Sequence, residues 1–191
     1  MTTNMQPQPQ PRRLRFSVDA YYKMYELGML TDFEKSEIIE GELIQKMGIG
    51  DRRAATVNAL NKFFSRNVSD DTLVSIQNPV RLSDFNESEP DLALADLRKF
   101  DGKRHPRPTE VILLVEVSDS TIKYDRGVKL PLYAEGEIPE VWIVNLPTEL
   151  IEIHTQPSIG LYQFVKIFKR GDVIKSDALP ELNLIVDKIL D

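Results

Sequence analysis

Two nearly uninterrupted apolar runs, residues 111–117 and 141–146, constrain this chain more than any other feature. Both are short, rich in valine, isoleucine and leucine, and too apolar for a strand with one wet face. The stretch between them, residues 124–134, has helical character. Strand, helix, strand in that order is a βαβ unit, with parallel strands covered on both faces. The expected class is therefore α/β, with a mixed, partly parallel central sheet flanked by helices. Pro131 falls inside the expected helix and has no N–H to offer the Gly127 carbonyl, so the helix either starts late or kinks there.

The rest of the chain supplies the flanks. Ser17 is placed to cap a helix through Tyr21, Met24, Tyr25 and Leu27 that Gly28 stops. A short helix is expected from near Thr31, containing Glu34 and Glu37 and ended by Gly41, with a strand over residues 42–47. Residues 52–68 set Val57, Leu60, Phe64 and Val68 on one helical face. Strands are expected over residues 73–82 and 91–97, with a polar turn at 83–89 between them, and over 150–154, 162–168 and 182–186. Residues 1–13, with Pro7, Pro9 and Pro11 and no apolar stretch of the signal-peptide kind, read as a disordered lead-in, and residues 14–191 as one domain.

Composition narrows the chemistry. The absence of cysteine excludes a disulfide framework, a thiolate metal site and a cysteine nucleophile. No apolar run approaches the ~20 residues of a membrane helix, which makes the cytoplasm the expected location. A net charge of −6 argues against a broadly basic nucleic-acid-binding face. Locally, Arg98, Lys99, Lys103, Arg104 and Arg107 face a single acid, Asp101; a solvated loop explains them equally well.

Glu116 stands inside Val-Ile-Leu-Leu-Val-Glu-Val. A carboxylate in such a strand must find a cation, a donor or a proton, unless it lies at the exposed strand end, where open α/β sheets bind ligands. Asp91 follows Pro90, a pair that also marks turns, but it opens what can be the neighbouring strand. Two carboxylates on adjacent strand ends make an oxygen-rich site suited to Mg²⁺ or Mn²⁺. They are expected to face each other with no built-in cation, so that one has a raised pKa. Lys129, on the following helix, can swing an ammonium toward them, and Lys123 in the preceding loop competes for that role. Among Glu37, Glu40 and Glu42 the spacing does not choose.

Read together, Phe-Ser-Val-Asp-Ala-Tyr-Tyr-Lys-Met, Glu-Ile-Ile-Glu-Gly-Glu-Leu, Gln-Asn-Pro-Val-Arg-Leu, Glu-Pro-Asp-Leu-Ala-Leu, Leu-Val-Glu-Val-Ser-Asp-Ser-Thr, Tyr-Asp-Arg-Gly-Val-Lys-Leu-Pro-Leu-Tyr-Ala and Ile-Pro-Glu-Val-Trp-Ile-Val-Asn resemble the Uma-two family of endonucleases. That family belongs to the PD-(D/E)XK, restriction-endonuclease-like superfamily, and the resemblance covers residues 16–186. It implies a restriction-endonuclease-like core and metal-dependent cleavage of DNA. Asp91 then matches the Pro-Asp metal ligand and Glu116 the second ligand. Ser118 holds the usual lysine position, and Lys129 matches a lysine moved to the next helix. Glu37 matches an accessory ligand acting through water. The chain departs from the family at Arg53, where a histidine is common, and neither His105 nor His154 replaces it by position. Arg53 is therefore left outside the expected catalytic set. A homodimer is expected from the modest size of the domain and from the need to cut two strands. The rival readings are a silent binding or scaffold module of the same fold and a metal-dependent phosphoesterase acting on a small nucleotide.

Overall fold

The Ser17 hydroxyl accepts the Ala20 N–H at 3.1 Å and starts α1 (Val18–Glu26). The computed structural model describes residues 13–30, 36–46, 48 and 50–190. The expected lead-in therefore lies outside the described residues up to position 12, as do Thr31, Glu34 and Met47.

Glu37 is not helical. It sits on β1 (Ser36–Ile39), which pairs antiparallel with β2 (Glu42–Gln45). The turn between them is Glu40-Gly41, with φ of 52° and 76°. Positive φ at both central residues suits the right-handed twist of a tight hairpin, and this turn chemistry outweighs the helix preference of the glutamates. The helix expected over 52–68 appears as α2 (Asp51–Asn67), burying Val57, Leu60 and Phe64.

The strand expected over residues 73–82 divides into β3 (Thr72–Ile76) and β4 (Val80–Arg81). Gln77 between them has φ of 49°, and Pro79 cannot donate to a ladder. The supposed turn at 83–89 contains β5 (Glu87–Ser88), which pairs with both β4 and β1. Then come β6 (Leu92–Asp96), β7 (Val111–Ser118), α3 (Ile122–Tyr124), a π turn (Asp125–Lys129), α4 (Leu130–Glu135) and β8 (Glu140–Asn145). The π turn settles the problem of Pro131. The Leu130 N–H reaches five residues back to the Asp125 carbonyl, and Pro131 falls in the first turn of α4, where a missing N–H costs least. The chain ends with β9 (Leu150–Ser158), β10 (Leu161–Phe168), β11 (Val173–Lys175) and β12 (Asn183–Ile185), of which β11 was not anticipated.

The main sheet has the order β10-β9-β8-β7-β6-β3. β7 and β8 run parallel, as their apolar sequences require, and the other neighbours run antiparallel, so the sheet is mixed. Alternate residues serve its two faces. Leu92, Leu94, Leu113, Val115 and Trp142 pack with α2 and the β11–β12 hairpin. Ala93, Leu114 and Val141 pack with Tyr133 of α4. Phe64 and Trp142, with ring centroids 5.6 Å apart, are fully buried, and such a phenylalanine contributes roughly 1.5–3 kcal/mol. The buried Glu140 carboxylate ties the C-terminal region to β8, accepting Trp142 Nε1 (2.6 Å), Ser176 Oγ (2.7 Å), Asp177 N (2.9 Å) and Ala178 N (3.0 Å). A second sheet, β2-β1-β5-β4, stands beside the first. No helix among the described residues is long and apolar enough to cross a membrane.

The β1–β2 hairpin depends on Gly41. A Cβ there would lie 2.6 Å from the Arg15 Cβ and 3.1 Å from the Phe16 carbonyl, on a backbone with positive φ. Gly41→Ala should therefore cost at least ~1–2 kcal/mol and lower the melting temperature by roughly 2–8 °C. An unchanged melting curve would show that the hairpin carries no such constraint.

Candidate active site

The register of the sheet brings the two predicted carboxylates together. Leu92 pairs with Val115, so Asp91, one residue earlier, falls opposite Glu116, on the face toward α4. Each is 1% exposed. Lys129, at the end of the π turn, is 4% exposed; its Nζ lies 3.1 Å from Glu116 Oε1 and 3.3 Å from Glu37 Oε2. Tyr133, one α-helical turn on, donates its hydroxyl to Glu116 Oε1 at 2.5 Å. A 2.9 Å contact joins Tyr133 Oη to Ser88 Oγ, and Ser88 Oγ lies 3.2 Å from Glu37 Oε2. The Glu89 N–H also donates to Glu37 Oε2, at 3.1 Å. The polar groups thus close a circuit under α4: Glu37, Lys129, Glu116, Tyr133, Ser88 and back to Glu37.

That circuit holds too few protons when Glu116 is ionised. Three contacts, Glu116–Tyr133, Tyr133–Ser88 and Ser88–Glu37, share two hydroxyl hydrogens. A proton on Glu116 Oε1 satisfies all three when it is donated to the Tyr133 oxygen, which leaves the Tyr133 hydroxyl to donate to Ser88. Burial pushes the Glu116 carboxyl from 4.5 up to about 7, against the pull of Lys129 and with help from Asp125 and Asp91. Burial also opposes the Lys129 charge, but Glu116, Glu37 and Asp125 outweigh it and hold the ammonium well above the usual lysine range.

Asp91 does not lack a cation, contrary to the expectation from sequence. Arg53, in the first turn of α2, grips it through Nη2 (2.9 Å to Oδ2, 3.0 Å to Oδ1) and Nε (3.2 Å to Oδ2). Gln77 Nε2 (3.3 Å) and the Val117 N–H (2.8 Å) complete its shell. The Arg53 side chain is 14% exposed. Burial works against its charge, but Asp91 more than compensates, and its pKa is raised. Each carboxylate thus has its own counter-ion, Arg53 for Asp91 and Lys129 for Glu116.

A cavity of about 260 Å³ opens beside this cluster, lined by Glu37, Arg53, Tyr124, Asp125 and Lys129 among others. Asp91 and Glu116 are not in its wall; they lie behind the two cations. Among the described residues three buried side-chain oxygens have no partner, Ser36 Oγ, Glu116 Oε2 and the Tyr124 hydroxyl, and the last two belong to this cluster and its cavity. Lys123 is exposed, so Lys129 is the lysine beside Glu116. Glu40 and Glu42 are exposed and pair with Arg15 and Arg13, which leaves Glu37 as the glutamate of the hairpin that reaches the site. His105 and His154 pair elsewhere, with Glu87 and Glu152. In the basic loop, Arg98 pairs with Asp96 and Arg104 with Glu110, which favours its reading as a solvated loop.

Among the described residues, no three His, Cys, Asp or Glu side chains form a metal-binding group. The donor set, an unpartnered buried carboxylate oxygen on Glu116 with a second carboxylate opposite, is of the hard oxygen kind that a divalent ion takes. Sequence reasoning named Arg53 but set it aside, and missed Tyr124, Ser88 and Tyr133. Tyr133 was within reach, because it lies four residues after Lys129 on the same helical face. Ser88 was hidden in a segment taken for a turn.

Comparison with known proteins places this geometry in context. Residues 18–187 match the Uma2 family model, described as "Putative restriction endonuclease". A crystal structure from Anabaena variabilis ATCC 29413, described as a putative nuclease belonging to DUF820, superposes with a TM-score of 0.67 at 15% identity, covering 92% of this chain and 97% of that one. At that identity the likeness concerns the fold. No curated protein matches.

The counter-ions make the two amide variants diverge. Asp91→Asn strands the Arg53 guanidinium and should lower stability by about 3 kcal/mol. Glu116 has a folded pKa raised from 4.5 to about 7, so the parent loses stability as pH rises through that window and recovers none above it. Glu116→Gln does not titrate, so its melting temperature relative to the parent should rise between pH 5 and pH 8. Thermal melts without metal test both statements; a pH-independent difference for Glu116→Gln would remove the proton from the circuit.

Proposed function

This chain belongs to the Uma2 family, and on that premise we propose that it hydrolyses phosphodiester bonds in DNA at the cluster of Asp91, Glu116 and Lys129, with Glu37 in support. The observation that carries the reading is Glu116 Oε2, a carboxylate oxygen buried without a partner beside a buried lysine at a strand end. Such a group is costly for the fold and useful to a ligand.

Asp91 and Glu116 would hold Mg²⁺ or Mn²⁺, with Glu37 acting through water. When bound there, the ion supplies charge opposite the phosphoryl oxygens and lowers the pKa of its water. The side chains do the rest. Lys129, kept protonated by its carboxylate neighbours, orients the attacking water or binds the scissile phosphate. Tyr133 fixes the rotamer of Glu116. The Tyr124 hydroxyl, buried without a partner, can donate to a phosphate oxygen in the cavity. A fixed framework of strand ends and one helix lowers the entropy cost of alignment. With a net charge of −6, DNA binding should be weak and steeply salt-dependent. We propose a homodimer, one site per strand.

One observation favours a second reading. Both Asp91 oxygens are already occupied by Arg53, Gln77 and Val117, as they would be in a silent binding module of the same fold.

Incubation of plasmid and single-stranded DNA with the protein and Mg²⁺ or Mn²⁺ separates the two. The nuclease reading expects cleavage that EDTA abolishes, and a rate at least ~10²-fold lower for Lys129→Ala. Circular dichroism on that variant and on Lys129→Met checks that the fold survives the loss of a buried charge. Parent protein inert with either metal would support the silent module, and equal rates would remove Lys129 from the mechanism. For assembly, light scattering at tens of micromolar should give twice the mass of one chain; the mass of a single chain would refute the dimer.

A further inference from the structure

Arg53 stands between the cavity and Asp91. Arg53 lines the cavity wall, whereas the carboxylate it grips does not. It makes three contacts with Asp91, between 2.9 and 3.2 Å, with the side chain largely buried. The other half of the site is arranged differently. Lys129 touches only Oε1 of Glu116, and Oε2 is left without a partner. One carboxylate is thus saturated by a resident cation and the other is half open.

We propose that Arg53 is a built-in competitor of the divalent ion for Asp91, and that the ion enters by displacing it. This inference rests on the metal-dependent reading of the site. The physical basis is exchange of like for like: a forked guanidinium and a divalent cation both bind the oxygens of one carboxylate, and they cannot share it. Affinity for the ion is then lowered by the fraction of time that Arg53 holds Asp91, a conformational cost that a substitution can remove. The cavity beside Arg53 gives the displaced side chain somewhere to go. There its charge faces any phosphate bound near Lys129 and Tyr124. One arginine thus closes the site when no ion is present and adds a cation to the cavity wall when one is. Lysine at position 53 could not reproduce the first role, because an ammonium does not fork across two oxygens.

The test is Mn²⁺ binding without substrate, followed by electron paramagnetic resonance of free Mn²⁺ and by the thermal shift that the ion produces. Arg53→Ala should bind Mn²⁺ at least ~10-fold more tightly than the parent, with Arg53→Lys between them. Without metal, Arg53→Ala should melt below the parent, and saturating Mn²⁺ should raise its melting temperature more than it raises the parent's. Adding Glu116→Gln to Arg53→Ala should abolish the gain. Arg53→Lys keeps a cation beside Asp91 and serves as the measurement if Arg53→Ala does not fold. Equal affinity in parent, Arg53→Lys and Arg53→Ala would overturn the competition while leaving the metal site standing. Weaker binding in the variants would make Arg53 a support of the site instead. Absence of Mn²⁺ binding in every protein would overturn both the inference and the metal-dependent reading.

Discussion

Burial of the Glu116 carboxylate in the middle of the sheet is the constraint on which the surrounding structure depends. A charge in that position is tolerated only when a cation and donors come to it, because the alternative is a desolvation cost of several kcal/mol. Lys129 and Tyr133 come from the helix that follows the strand, and the hairpin carrying Glu37 comes from a separate sheet to balance Lys129. Ser88 then links the hairpin's glutamate back to Tyr133. The second sheet has no large core of its own; the cluster nearest to it holds Val18, Tyr21, Leu30 and Ile38. Val80 of β4 joins the apolar cluster of Ala93, Leu114 and Tyr133, and the polar circuit adds to that contact, so the site and the docking of the two sheets share side chains.

The two halves of the cluster handle charge in opposite ways. Asp91 is neutralised by a full shell of donors and has little left to offer. Glu116 is neutralised incompletely, and burial pushes its carboxyl into the physiological range. A binding site needs some of each: order enough to hold geometry without a ligand, and enough unmet demand for a ligand to be welcome.

How much of this was legible in the sequence varied with the physics involved. The parallel pair β7 and β8 was plain because only strands covered on both faces can be so apolar. α2 was plain because its apolar spacing has one period. The hairpin of Glu37 was misread as a helix, which its glutamates favour, whereas two positive φ angles at Glu40 and Gly41 decide the matter. The interruption at Gln77 was misread for a related reason: a left-handed residue leaves little trace in composition unless it is glycine. Asp91, Glu116, Lys129 and Glu37 were all singled out, and the structure gathers them. Arg53 was set aside because it stands where the family it resembles often has a histidine, and its contact with Asp91 depends on where the first turn of a helix ends up relative to a distant strand. That is a tertiary fact, and no local pattern encodes it.

The π turn at Asp125–Lys129 has a consequence for how this site can vary. Tyr124 and Lys129 are five residues apart, which on a regular α-helix puts them roughly 140° apart around the axis. Both nonetheless line the same cavity. The wider turn acts as a phase shifter, slipping the helix by about one residue so that two side chains meant for one cleft point the same way. Point substitutions can tune either side chain while that phase is kept. A change that keeps the residue count but winds the segment into a regular helix is of a different kind: it would rotate everything before the turn by roughly 100° relative to everything after it. Losing one residue together with the wider turn would leave the two side chains four apart and still on one face. Evolution can therefore alter the chemistry of this wall one side chain at a time, but the wider turn and its extra residue have to be kept together or lost together.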